Sequence, residues 1–126
     1  MSKYKASNMF VSLKFAIRGL FLAIRSQRNF RADLIMGIIA CILAIILDFT
    51  PNEMAILVLT IGFVMFAELV NTVIEFVVDA YFGHKYSILA KMSKDISAGA
   101  VLLSAFISLT IGFLLFWPKI NHLILR

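Results

Sequence analysis

From Ile96 to Trp117 the chain runs without a single charged side chain. At 1.5 Å of rise per helical residue, such a stretch covers the roughly 30 Å hydrocarbon core of a bilayer. A second apolar run lies between Asp33 and Asp48, and a third begins near Glu53 and reaches about Ala80. Hydrophobic residues make up 62% of the 126 residues and charged ones only 15%. A soluble domain of this length has no core large enough to hide so much apolar surface. The expected fold class is therefore an all-α membrane protein.

The chain reads as a single integral-membrane domain, 1–126, with a surface helix at about 8–27 and spans at about 32–50, 53–80 and 95–117. The core of the first span, "LIMGIIACILAIIL", is short against the usual ~20 residues, so it must pack tightly or be flanked by snorkelling side chains. The turn "DFTPNE" closes it, with Asn52 a plausible cap for the next helix. Pro118 is expected to stop the last span, with Trp117 and Lys119 as an interface anchor. Cys41 is the only cysteine, so no disulfide can form within the chain.

Ahead of the spans, residues 1–31 hold seven basic side chains (Lys3, Lys5, Lys14, Arg18, Arg25, Arg28, Arg31) and no acid. The charges are spread through the segment, unlike those of a signal peptide. Leu13, Ile17, Leu20 and Ile24 fall on one helical stripe, and the basic residues cluster away from it. This pattern suits an amphipathic helix lying on an anionic membrane surface. Three more lysines (Lys85, Lys91, Lys94) lie between the second and third spans, against two basic residues after the third and none in the 48–53 turn. By the positive-inside rule, the N-terminus and the 80–95 loop face the cytoplasm.

The stretch "FAELVNTVIEFVVDA", 66–80, breaks the apolar pattern with Glu68, Asn71, Glu75 and Asp79. With Glu68 at zero on a helical wheel, Glu75 lies near about −20°, Asp79 near about +20° and Asn71 near about −60°. All four share one narrow face. An ionised carboxylate facing lipid costs roughly 2.5 to 3.5 kcal/mol even on the lenient insertion scale. The face must therefore meet protein, water or a cation. Asn71 and Thr72 could serve only as helix glue at about 1 kcal/mol per bond. Glu68 is a poorer glue, because an unpaired carboxylate is costly and neither other span offers a buried cation to pair it.

The available cations lie at the cytoplasmic edge, in "HKYSILAKMSKD". There Asp95 is expected to cap the third span's amino end, and Lys94 to reach an anion over the mouth. Mg2+ takes one or two carboxylates plus phosphate oxygens, and lysine neutralises phosphate charge, so acids beside lysines suit a magnesium nucleotide. A deeper carboxylate could act as general base on a hydroxyl presented from the bilayer. The acidic face alone would equally suit a small cation or proton carrier; Lys94 and Asp95 across the mouth are what separate the two readings. There is no G-x-x-x-x-G-K-[ST] loop, no H-E-x-x-H and no Ser/His/Asp arrangement, which excludes the soluble nucleotide-binding folds. No nucleic-acid partner is expected.

At "AELVNTVIEFVVD" (67–79) and "AKMSKDISAGAVL" (90–102), with support from "RNFRAD" (28–33), the sequence resembles the small integral-membrane lipid kinases of bacteria. That family includes diacylglycerol kinase and undecaprenol kinase. The resemblance implies a homotrimer in the bacterial cytoplasmic membrane, with active sites shared between chains on the cytoplasmic side. It implies ATP as co-substrate, Mg2+ as cofactor and a membrane lipid as phosphate acceptor. "RNFR" and "KDISAGAVL" lean toward the undecaprenol branch.

Carried over by resemblance, Glu68 matches the catalytic base, and Glu75 a carboxylate that binds the metal and ATP. Asn71 and Asp79 match supporting polar residues, Lys94 and Asp95 an ATP-contacting pair, and Lys85, Tyr86 and Ser87 an ATP-contacting loop. Phe15 stands where some relatives have an ATP-contacting tyrosine, so only packing remains there. Gln27 stands where many relatives have a second metal-linked glutamate. Its amide oxygen can still ligate Mg2+ but brings no charge. The expectation is an active kinase with a raised magnesium requirement; the alternative is a weakly active or inactive homologue.

Overall fold

The computed structural model describes residues 8–126, so Lys3 and Lys5 lie outside the described residues. Four helices follow in order: α1 (Met9–Ser26), α2 (Arg28–Ile46), α3 (Pro51–Phe82) and α4 (Ile88–Ile124). The last three are each long and apolar enough to cross a membrane. Large apolar side chains point outward along all three, as Ile45, Leu59 and Phe106 do. In water that surface would drive aggregation; in lipid it is solvated.

Asn8 caps α1 by accepting the Val11 amide at 3.0 Å, and Arg25 in the last turn complements the helix dipole. A single extended residue, Gln27 (φ −112°, ψ 110°), separates α1 from α2. The bend is held by Arg31, whose Nη1 donates to the Ile24 and Arg25 carbonyls at 2.9 Å each. One guanidinium thereby satisfies carbonyls that the end of α1 leaves without partners.

α2 ends at Ile46, short of the expected 50, because the chain turns in a Schellman motif. The Phe49 amide donates to the Ala44 carbonyl and the Asp48 amide to the Ile45 carbonyl. Asp48 takes the left-handed position (φ 56°) that glycine usually fills, which aspartate tolerates better than most residues. The cap of α3 is Thr50, not the expected Asn52. Thr50 and Glu53 form a capping box (3.0 and 3.2 Å), and Pro51 occupies the first helical position, where no amide is needed.

Two expectations for α4 are overturned. The helix begins after Ser87, so Asp95 lies well inside it and caps nothing; its carboxylate accepts instead from Lys91 at 2.6 Å. Pro118 does not stop the helix, which runs on to Ile124. A proline removes one hydrogen bond, and later contacts can offset that loss. Here Lys119 pairs with Glu53 at 3.1 Å and sits 5.9 Å from the Phe49 ring, tying the last turns of α4 to the α2–α3 turn. Phe49 packs in turn on Phe116, ring centres 4.9 Å apart.

The ion pairs Asp79–Lys94 and Glu53–Lys119 join α3 and α4 in opposite sequence order, so the two helices lie antiparallel. α3 packs mainly on α4 and secondarily on α2, which makes it the central helix. Between α2 and α3 the packing is tight at Gly37, where an added Cβ would come within 2.7 Å of Ile61 Cγ2. Small residues at such crossings let membrane helices approach closely. Gly37→Leu is expected to cost about 1 to 3 kcal/mol of stability, read as a lower melting temperature in detergent; an unchanged melting temperature would show that the α2–α3 contact is dispensable.

Candidate active site

α3 presents its polar residues on the side facing its neighbours, because every other face must be apolar to meet lipid. Glu68 is only 6% exposed and Thr72 7%. The Thr72 hydroxyl donates back to the Glu68 backbone carbonyl at 2.9 Å. On the facing helix α2, Asn29 and Asp33 lie near Glu68, and Asp33 and Glu75 act on it as like charges. Asn29 and Asp33 are one turn apart on α2 and share a face. Both lie within "RNFRAD", yet sequence reasoning assigned neither to the site.

One turn toward the α3–α4 loop, Asn71 links two helices. Its Nδ2 donates to Glu75 Oε1 at 3.2 Å, and its Oδ1 accepts from the Ser97 hydroxyl of α4 at 2.7 Å. No hydrogen bond is made to Glu75 Oε2 among the described residues. A further turn on, Asp79 pairs with Lys94. From Glu68 to Asp79 the face descends about 16 Å along the helix axis.

Asp79, Lys85, Tyr86, Ser87 and Lys94 line one shallow groove of about 280 Å³ where α3 gives way to α4. The loop and mouth residues expected at an ATP site are therefore neighbours. Asp95 lies outside that group, paired with Lys91 at an exposed position. Phe15 is half-exposed on α1 with the Arg18 guanidinium 5.7 Å from its ring. Gln27 directs its amide to the Ser26 hydroxyl at 3.3 Å, and no hydrogen bond joins it to Glu75 among the described residues. Nor do three Asp, Glu, His or Cys side chains converge on one point among the described residues.

The arrangement is a three-span helical protein whose central helix carries a buried acid, a second acid held by an amide, and an ion pair at one end. The sequence profile of the prokaryotic diacylglycerol kinase family matches residues 14–116. A diacylglycerol kinase of Synechocystis sp. is 40% identical over 118 residues, covering 94% of this chain and 67% of that protein. An undecaprenol kinase of Bacillus subtilis is 37% identical over 114 residues, covering 90% and 92%. A diacylglycerol kinase of Escherichia coli is 28% identical over 103 residues, covering 82% and 84%. The chain belongs to the prokaryotic diacylglycerol kinase family.

Proposed function

We propose that this chain, a lipid kinase by its family, transfers the γ-phosphate of ATP to the hydroxyl of a membrane lipid, diacylglycerol or undecaprenol. The observation that carries the proposal is the graded face of α3. Glu68 is buried in the long apolar helix α3, about three turns from the Asp79–Lys94 pair at the α3–α4 end. With the basic loop placed in the cytoplasm by the positive-inside rule, that end meets aqueous nucleotide.

In this reading Lys94 and the 85–87 loop bind ATP phosphates, and Glu68 takes the proton from the lipid hydroxyl as its oxygen attacks the γ-phosphorus. The bond from the γ-phosphorus to the bridging oxygen breaks, leaving ADP and a lipid phosphate. The oxygen donors present fit Mg2+. Glu75 keeps one carboxylate oxygen unclaimed, and such an ion needs only one or two carboxylates beside the phosphates. Held there by Glu75, with the Gln27 amide oxygen as a further donor, Mg2+ would supply positive charge to the ATP phosphates. Gln27 and Asp95 make no hydrogen bond with Glu75 among the described residues and would join the site across the subunit boundary of a homotrimer. The groove between α3 and α4 lined by Phe63, Phe66, Asn71 and Ser97 offers a neighbouring chain a place to seat.

Proteoliposomes test the function against the carrier reading. A kinase forms ADP and lipid phosphate one for one and leaves an imposed proton gradient intact. Collapse of the gradient without ATP consumption would overturn the proposal.

A further inference from the structure

α4 carries several serines in its apolar stretch, and they do not behave alike. Ser104 and Ser108 donate back to carbonyls of their own helix, Val101 at 2.7 Å and Ala105 at 2.8 Å, as hydroxyls in membrane helices commonly do. Ser97 instead donates across to Asn71 Oδ1 on α3 at 2.7 Å. Asn71 in turn donates from Nδ2 to Glu75 Oε1 at 3.2 Å.

We infer that Ser97 is a positioning residue, which holds the Glu75 carboxylate through Asn71 and thereby sets the affinity of the site for its divalent cation. The inference rests on the assignment of the metal to Glu75 made above. An ionised carboxylate favours only the NH2 end of the Asn71 amide, because the other end would set oxygen against oxygen. Oδ1 must then point toward α4, into a groove lined mainly by apolar side chains such as Phe63, Val70, Ile96 and Leu103, where Ser93 is the other hydroxyl and makes no hydrogen bond to Asn71 among the described residues. In such surroundings an acceptor without a donor is costly, and the Ser97 hydroxyl removes that cost.

Asn71, Glu75 and Asp79 follow one another at four-residue spacing on α3. Ser97 binds the first of them and Lys94, one turn away on the same face of α4, binds the last. Glu75 is thus bracketed by two links to α4. One of its oxygens is engaged by Asn71 and the other makes no hydrogen bond among the described residues, so the carboxylate is oriented before any cation arrives.

The test is Ser97→Ala in the full-length protein in lipid, beside Ser97→Thr, which restores a hydroxyl. Mn2+ binding is followed by electron paramagnetic resonance with a non-hydrolysable ATP analogue, and Mg2+ dependence by turnover. Loss of one partly buried hydrogen bond is expected to weaken Mn2+ binding about three- to tenfold. The Mg2+ concentration for half activity should rise by the same factor, with kcat at saturating Mg2+ within about twofold. Ser97→Thr should recover both, and Ser97→Ala should add nothing in an Asn71→Ala background. A purely structural serine would lower the melting temperature without moving Mn2+ affinity. If Glu75→Gln weakens Mn2+ binding and Ser97→Ala does not, the inference alone is overturned; if Glu75→Gln also leaves binding unchanged, the metal assignment falls with it.

Discussion

Glu68→Gln is expected to lower lipid phosphorylation by about a hundred- to ten-thousand-fold, the range supplied by a positioned general base. The substitution keeps the shape of the side chain and removes its charge and its capacity to take a proton. Glu68 is 6% exposed, with Asn29 nearby and Asp33 and Glu75 acting on it as like charges. Removing one carboxylate from that group relieves repulsion and lowers the cost of holding charge at lipid depth. The variant should therefore melt at or above the wild-type temperature while its turnover collapses. Circular dichroism melting and initial rates at saturating ATP and Mg2+ measure the two halves. Turnover within tenfold of wild type would remove Glu68 from the role of base.

Gln27→Glu is expected to lower the Mg2+ concentration for half activity about tenfold while leaving kcat at saturating Mg2+ nearly unchanged. Gln27 occupies the single-residue bend between α1 and α2, whose geometry Arg31 fixes from outside the residue's own side chain. Its amide is engaged only weakly, with Ser26 at 3.3 Å, so the side chain is free to redirect. A full negative charge about 4 Å from a cation is worth about 4 kcal/mol per unit of cation charge at an effective dielectric of 20. Desolvation of the new carboxylate offsets most of that gain, and a tenfold change in affinity corresponds to about 1.4 kcal/mol. A second carboxylate would also make the site less dependent on Glu75, so Ser97→Ala should have a smaller effect in the Gln27→Glu background. An unchanged Mg2+ requirement would show that position 27 does not reach the metal.

The spans were legible because lipid imposes a simple rule: outward side chains from Ile96 to Trp117 must be uncharged and mostly apolar, and an outward hydroxyl such as Thr110 bonds back to its own helix. Helix ends were less legible, since they depend on local bonds that several residues could supply. "DFTPNE" contains two possible caps, and Thr50 prevails over Asn52 because Glu53 stands at the reciprocating position and Pro51 fits the first turn. Asp95 precedes a long apolar run and so resembles a cap, yet α4 starts earlier as a polar helix outside the apolar stretch. Pro118 has the usual mark of a helix stop, but the Lys119–Glu53 pair that holds the helix beyond it lies far apart in sequence.

The candidate site divides in the same way. Glu68, Asn71, Glu75 and Asp79 share a period, and periodicity can be read from a single chain. Ser97, Asn29 and Asp33 approach that face from other helices, and no spacing along the chain announces a partner across a helix crossing. Trimerisation and the weight placed on Gln27 came from family resemblance, because the surfaces that another chain would cover look, in sequence, the same as those facing lipid.

The most direct test of the central claim is transfer of label from γ-labelled ATP to lipid by the purified protein in bilayers. Diacylglycerols and polyprenols are offered in parallel, with wild type beside Glu68→Gln. The account predicts labelled lipid phosphate from at least one of the two lipid classes with wild type, dependent on Mg2+, and almost none with the variant. No labelled product from any lipid, or equal labelling by the two proteins, would contradict it.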